Sequence, residues 1–251
     1  MKDLEGMQLT FKKSALAAFG AGEFKIIFVF AAISNRLKLL EAETFCHWAT
    51  AKDESRSEPV RSAALCGVVE SLILLAGELK EAWESIQHCY YSTQVSKKLN
   101  AALPESAQAA LKRCGRHFDG AGLVSYLRNN FANHNNADEM LKIAKALDDE
   151  AEFTFSLFPH DNKYFEYATK VRLLAIASHL KLPEMYWDKV IERMVVVVVK
   201  EAYADVHHAL NGILSQLLTA VELDRQPVTA TGVRAWNEFP GEYHFYIEQP
   251  Q

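Results

Sequence analysis

One long apolar stripe, from Ser57 to Tyr91, limits the chain to a small set of folds. Apolar residues recur along it three or four positions apart, which is the spacing of one face of an α-helix. They include Leu65, Val68, Leu72, Leu75, Leu79, Trp83, Ile86 and Tyr90. Ser57 is a favourable N-cap residue and Pro59 suits the first turn, so the helix is predicted to begin there. A helix this apolar has to be buried by its neighbours, and it is predicted to be the central rod of a bundle.

Most of the remaining chain also shows helical spacing. Predicted helices cover residues 23–52, 107–114, 121–132, 137–149, 164–180 and 184–223, and residues 1–19 are expected to begin another. Glycine and proline number only 11 and 7 among 251 residues, which disfavours turn-rich β folds. The expected fold class is all-α, with a single domain over residues 1–251. Residues 23–149 are expected to form its helical bundle, and residues 150–251 a helical elaboration with an irregular tail.

The C-terminal half contains two stretches that favour β structure locally. Residues 153–158 alternate apolar and small polar side chains, which predicts a strand. A single strand needs a partner, and residues 244–247 are the candidate. Val195 to Val199 are five consecutive valines, and β-branched residues favour strands. Their flanks are helical, however, so a fully buried helix is predicted, with Gly212 as a candidate kink farther along.

The cysteines and the apolar segments indicate where the protein works. Cys46, Cys66, Cys89 and Cys114 form no C-x-x-C pair, so neither a zinc site nor a disulfide framework is expected. No uninterrupted apolar run reaches the ~18 residues that span a bilayer. The charged N-terminus does not resemble a signal peptide. The protein is therefore expected in the cytoplasm, without membrane contact.

The sequence lacks the common motifs of metal and cofactor sites. It contains no H-E-x-x-H, no G-x-S-x-G and no glycine-rich phosphate loop. His207 and His208 are neighbours, and side chains one position apart on a helix point about 100° away from each other. They are not expected to share a metal ion. Neither a metal nor a cofactor is predicted.

The stretch from Leu127 to His134 combines a helical pattern with an abrupt polar end. Asn133, Asn135 and Asn136 surround His134, and asparagine suits helix caps better than helix interiors. Asn136 is predicted to open the next helix, with Glu139 three residues on as in a capping box. A break after Ala132 lets Arg128 and His134 converge. An arginine, an amide and an imidazole at one break can hold a phosphate and transfer a proton.

This stretch resembles the signature of the HEPN superfamily (higher eukaryotes and prokaryotes nucleotide-binding), in which an arginine is followed after four to six residues by a histidine. Five residues separate Arg128 from His134, and the polar Asn129 follows the arginine as in the family. Arg172 and His179 also fit the bare spacing. They lie in an apolar run and are predicted to pack on the core instead.

The resemblance implies a helical bundle of HEPN type and an endoribonuclease that needs no metal. The implied catalytic residues are Arg128, which would clamp the phosphate, His134, which would act as general acid or base, and Asn129, which would orient His134 or the phosphate. The family also implies a homodimer, an RNA substrate, and a role as a toxin or phage-defence effector with an antitoxin or defence partner. Asn136 stands where one subgroup carries a tyrosine that its antitoxin adenylylates, which argues against that mode of inhibition.

Positive charge, which would favour an RNA partner, is concentrated in one segment of the chain. The chain carries a net charge of −5, yet residues 96–134 are basic. Lys112, Arg113 and Arg116 within this segment are the candidate RNA contacts, although a solvated helix face is an equal interpretation. Two other functions remain open: a non-catalytic helical module that binds a nucleotide or protein and uses Arg128 as an anion clamp, and a scaffold subunit without a site.

Overall fold

The computed structural model describes residues 4–10, 13–118, 120, 122–132, 136–147, 156–157, 163–164, 166–183, 187–219 and 224–230. Across these ranges the chain forms nine α-helices whose apolar faces meet in a common core. The all-α helical bundle predicted from the sequence is confirmed. Helices from both the 23–149 and the 150–251 segments contribute to this core.

The two longest helices form a hairpin that organises the bundle. They are α1 (Ala21–Lys52) and α2 (Glu58–Ser85), and they pack along their lengths. Ser57 is the N-cap of α2 and Pro59 lies in its first turn, as predicted. The shorter helices are α3 (Gln94–Leu99), α4 (Glu105–His117), α5 (Leu123–Leu127), α6 (Ala137–Ala146), α7 (Glu166–Leu180), α8 (Trp187–Met194) and α9 (Ala204–Leu218).

Three π-helical segments interrupt or extend the helices of the described chain. Ile86–Tyr91 extends α2, Arg128–Ala132 extends α5, and Val195–Tyr203 joins α8 to α9. The five valines are helical as predicted, but only Val198 and Val199 are buried, so the prediction of full burial was wrong. Five consecutive residues point to all sides of a helix, and they cannot all face one core.

Gly212 lies inside a continuous α9, and its role is close packing. A Cβ atom built on Gly212 would lie 2.3 Å from the Cβ of Ala107 on α4, far inside van der Waals contact. Glycine is therefore required where these two helices cross. The kink proposed at this position is not observed.

Short β ribbons complete the described structure. β1 (Leu4–Thr10) pairs antiparallel with β4 (Asp224–Ala230), so the helix expected over residues 1–19 was wrong for residues 4–10. A 3₁₀ turn at Lys13–Ala18 follows β1. β2 (Ser156–Leu157) confirms part of the strand expected at residues 153–158, and its partner is β3 (Lys163–Tyr164). The proposed partner, residues 244–247, lies outside the described residues.

The continuous helix from Glu58 to Tyr91 has the length and composition of a membrane span, with a mean hydropathy of 1.7 over its most apolar window. Charged residues such as Glu70 and Glu78 interrupt this helix, so it contains no uninterrupted apolar run of that length. Within the bundle 61% of that window is buried, as in the central helix of a helical core.

Candidate functional site

The helix break predicted near Arg128 is a π-helical turn. α5 ends at Leu127, and the π segment begins at Arg128, earlier than the expected break after Ala132. Leu123, Leu127 and Phe131 are buried, and they hold this segment against α2. Single π turns within helices occur frequently at functional sites because they redirect the side chains that follow.

Arg128 points from this turn toward α2. One terminal nitrogen of its guanidinium donates to a carboxylate oxygen of Glu81 at 3.2 Å, and the other donates to Oδ1 of Asn129 at 3.2 Å. The side chains of Arg128 and Glu81 are 30% and 45% exposed. The buried Nε has no hydrogen-bond partner among the described residues. The guanidinium is thus held in place while part of it stays accessible to solvent.

Two asparagines close the chain on either side of residues 133–135. Nδ2 of Asn136 donates to Oδ1 of Asn130 at 2.8 Å, and the backbone N–H of Asn136 donates to the carbonyl of Asn130 at 2.9 Å. Asn130 is itself fixed, because its Nδ2 donates to the carbonyl of Tyr126 at 2.9 Å. Residues 130 and 136 are therefore held close to each other.

His134 lies outside the described residues, together with Asn133 and Asn135. Asn136 precedes α6 as predicted, and its carbonyl accepts the N–H of Met140 at 3.0 Å, the first hydrogen bond of that helix. The side chain of Glu139, the other half of the expected capping box, is also outside the described part.

The second pair with the same spacing, Arg172 and His179, occupies a continuous helix. Both residues lie on α7, two turns apart. Arg172 forms an ion pair with Glu70 on α2, and its side chain is only 13% exposed. The His179 ring stacks in parallel on Tyr126, with ring centroids 3.9 Å apart, and burial lowers its pKa. Both side chains thus pack between helices.

The three candidate RNA contacts all lie on α4, but they are engaged differently. All three are exposed, and Arg116 is a helical neighbour both of Lys112, four residues before it, and of Arg113, three residues before it. Arg113 is already bound to Asp205 of α9, with its Nε 2.9 Å from Oδ1. Arg116 lines an open cleft together with His117. Of the three residues, Arg113 is thus already engaged by a carboxylate, while Arg116 faces the cleft.

His117 and Asp205 were missed by the sequence analysis. Nε2 of His117 lies 2.8 Å from Oδ2 of Asp205, a carboxylate that is only 6% exposed. Burial alone would raise the pKa of Asp205, but hydrogen bonds from Arg113 and His117 outweigh it and lower that pKa. The partners stand 88 residues apart, so no local pattern could identify them. The i to i+4 spacing of Arg113 and His117 was the only signal available.

Among the described residues, the thiols and the other histidines form no metal-binding cluster. Cys89 and Cys114 are buried, and burial raises the pKa of Cys114 to about 12. His207 stacks on Tyr203, and it shares a hydrogen bond with Asn211 at 2.8 Å. Across the described ranges, no three His, Cys, Asp or Glu side chains converge as they would around a metal ion.

Comparison with protein-family models, with curated proteins and with solved structures found no match for this chain. A helical bundle supports many unrelated activities. Function is therefore inferred below from the geometry of individual residues.

Proposed function

We propose that the protein is a metal-independent endoribonuclease of HEPN type, with Arg128, Asn129 and His134 as its catalytic residues. The observation that supports this best is the arrangement around the π turn. Arg128 is held there by Glu81 and Asn129, and Asn130 is hydrogen-bonded to Asn136, so the residues on either side of 133–135 are held close together. A fixed cation with an imidazole a few residues along the chain suits phosphoryl transfer, which depends mainly on positioning and charge stabilisation.

The reaction uses the substrate's own 2′-hydroxyl as nucleophile. A general base takes the hydroxyl proton while the 2′-oxygen forms a bond to the adjacent phosphorus. The bond from phosphorus to the 5′-oxygen breaks, and that oxygen takes up a proton. The products are a 2′,3′-cyclic phosphate and a 5′-hydroxyl. His134 serves as base or acid, because an imidazole with an ordinary pKa near 6.5 suits both roles at cellular pH.

Arg128 stabilises the charge that grows on the non-bridging oxygens. A guanidinium has five N–H donors, and the contacts with Glu81 and Asn129 occupy only some of them. Glu81 holds the planar group in one orientation, which pre-arranges it for a bidentate contact with phosphate. One such turn supplies few phosphate ligands, so the active form is proposed to be a homodimer in which two copies of Arg128 and His134 face one cleft.

The biological setting proposed is cytoplasmic. The substrate is cellular RNA, and the protein acts as a toxin or phage-defence effector that an antitoxin or defence partner controls. Light scattering at micromolar concentration should give twice the mass of the chain, and a monomer alone would contradict the shared cleft.

The deciding experiment is cleavage of labelled RNA by the purified protein, with the new ends identified by mass spectrometry. We expect 2′,3′-cyclic phosphate ends in the presence of EDTA. His134→Ala should lower the rate by about 10²–10⁴, the contribution of a general acid–base group. Arg128→Lys should also be impaired, because an ammonium cannot reproduce the guanidinium fork. Arg172→Ala is the matched control, since that arginine has the same spacing to a histidine and should leave the chemistry of the folded enzyme unchanged.

One observation favours a second candidate, a non-catalytic module. Glu81 and Glu70 lie on the same helix, and each holds an arginine from another helix. This parallel fits Arg128 as a helix anchor, or as an anion clamp for a nucleotide or protein partner. If the wild-type protein cleaves no RNA, and His134→Ala behaves like wild type in cells, the module replaces the nuclease.

A further inference from the structure

A groove lies beside α4. It consists of two adjoining clefts, of about 530 and 360 Å³, that share Arg116, His117 and Glu201. Arg128 and Glu81 line neither cleft. Small-molecule sites usually occupy 300–1,000 Å³, so each cleft has room for part of an organic ligand.

The larger cleft is built to receive an anion. Arg116 and Lys200 line it, and no carboxylate of the described chain pairs with either. It has two acidic residues: Asp205 is buried and already bound by Arg113 and His117, whereas Glu201 is exposed. Apart from the Asp205 cluster, the cleft carries two cations against one carboxylate, so it keeps a positive charge that can bind phosphate as point charge and as planar fork.

His117 is held in one orientation at the junction of the two clefts. A carboxylate can only accept hydrogen bonds, so Nε2 of His117 carries the proton that Asp205 accepts. Nδ1 is then the nitrogen left to meet a ligand. An imidazole fixed by a buried carboxylate is a typical arrangement for precise polar contacts.

The smaller cleft is suited to a flat ring. Leu123, Leu180 and Val197 supply apolar walls, and His179 lines the same space. Tyr126 covers one face of His179 at 3.9 Å, with the ring planes 8° apart. A planar base can lie against the face or edge of His179 that Tyr126 leaves open, and base–aromatic stacking does not require a specific base. Arg193 at the rim adds a further cation.

The region shared by the two clefts suits the ribose of a nucleotide. Glu201 lines both clefts, and a carboxylate placed between a phosphate site and a base site can accept hydrogen bonds from ribose hydroxyls. We propose that this groove binds a ribonucleotide, with its phosphate at Arg116 and Lys200, its ribose at Glu201 and its base beside His179. This site does not depend on the nuclease proposed above, because it includes none of the three residues assigned to catalysis.

The test is a calorimetric titration of the full-length protein with the four ribonucleoside monophosphates, the corresponding nucleosides and inorganic phosphate. At least one nucleotide should bind about tenfold more tightly than its nucleoside and than phosphate. A single-stranded octaribonucleotide is titrated in parallel. If no mononucleotide binds, or if only the octaribonucleotide does, the proposal is overturned.

Single substitutions test which residue contacts the phosphate and which contacts the base of the nucleotide. Arg116→Ala should weaken nucleotide binding by tenfold or more, since charge-assisted hydrogen bonds to phosphate are lost. Lys112→Ala is the control on the same helix, because Lys112 is an exposed cation one turn from Arg116 that lines neither cleft, and it should weaken nucleotide binding far less than Arg116→Ala does. His179→Ala should weaken nucleotide binding by roughly 5- to 150-fold, the range for loss of one base stack, without affecting phosphate.

Arg128→Ala can remove a nucleotide site at the π turn, but it should leave intact the groove site that Arg116→Ala and His179→Ala weaken, so the two proposals fail separately. Equal loss of nucleotide binding in Arg116→Ala and Lys112→Ala, or loss in Arg128→Ala of the same site that His179→Ala weakens, would overturn the assigned location. Thermal melting confirms that each variant is folded, and Arg116 is exposed, so its replacement should not disturb the core.

Discussion

The guanidinium of Arg128 lies 3.2 Å from the carboxylate of Glu81, eleven positions along α2 from the glutamate that holds Arg172. The two pairs differ mainly in burial. The Arg128 side chain is 30% exposed and that of Arg172 only 13%, while both glutamates are 45% exposed. The more exposed arginine is the one whose charge an incoming phosphate can reach.

Removing the two glutamates should separate these roles. Glu81→Ala should lower the free energy of unfolding by at most about 1 kcal/mol, as for other solvent-exposed ion pairs. Glu70→Ala should cost more, because the guanidinium of Arg172 is less solvated and loses a partner that water replaces poorly. Urea unfolding of both variants measures the difference. A larger loss for Glu81→Ala would show that Arg128 is the main structural anchor and would weaken its catalytic assignment.

Asn130 should matter more for stability than its neighbour Asn129. Asn130→Ala removes the hydrogen bonds to the Tyr126 carbonyl and from the Asn136 amide, about 1–3 kcal/mol for two bonds. Asn129→Ala removes a single exposed contact with Arg128, so its effect should stay within about 0.5 kcal/mol. Hydrogen exchange at the Asn136 amide should accelerate only in Asn130→Ala. Unchanged exchange at that amide would contradict a stabilising role for the hydrogen bonds between Asn130 and Asn136.

The buried carboxylate of Asp205 should make stability depend on acid. Its pKa in the folded protein is below the ordinary value of 3.8, so its hydrogen bonds stabilise the fold above that value. The contribution is lost as the pH falls through the lowered folded pKa. The stability advantage of the wild type over Asp205→Asn should therefore be constant near neutral pH and shrink below about pH 4. Chemical denaturation at several pH values measures it, and a pH-independent difference would contradict the lowered pKa.

Two glycines should respond to alanine in opposite ways. Gly212→Ala places a Cβ 2.3 Å from that of Ala107 and should destabilise the fold by about 1–3 kcal/mol through overpacking. Gly115 is inside α4, and a Cβ there meets no atom within 4 Å. Gly115→Ala should instead stabilise by about 0.5–1 kcal/mol, the helix-propensity gain over glycine. Equal melting temperatures for the two variants would contradict the close helix crossing.

Local patterns predicted much of the fold because the apolar residues of a helix that face the core recur every three or four positions. The stripe on α2, the N-cap at Ser57 and the helix start after Asn136 depend on neighbours in sequence, and all three were predicted correctly. Strand β1 was not, because it is stabilised by pairing with β4, more than two hundred residues away.

The candidate sites likewise combine residues that local sequence predicted with residues that only the folded chain brings together. A motif placed Arg128 at a helix irregularity, and the π turn is there. The groove residues His117 and Asp205 belong to helices joined only by the folded chain, so neither residue carries a local signature. Glu81 likewise could not be matched to Arg128 before the bundle was known, since α2 carries several glutamates at similar spacing.

The close contact between Ala107 and Gly212 is the point about which α4 and α9 can tilt relative to each other beside the groove. α4 and α9 run antiparallel from it, since Ala107 meets Gly212 while His117 meets Asp205. His117 stands ten residues along α4 from the contact, a lever arm of about 15 Å at 1.5 Å per residue. A tilt of α4 by about 5° around this contact would move His117 by roughly 1.3 Å, enough to break its hydrogen bond to Asp205. Residues 107 and 212 line neither cleft, yet the closeness of their packing bears on the width of the groove.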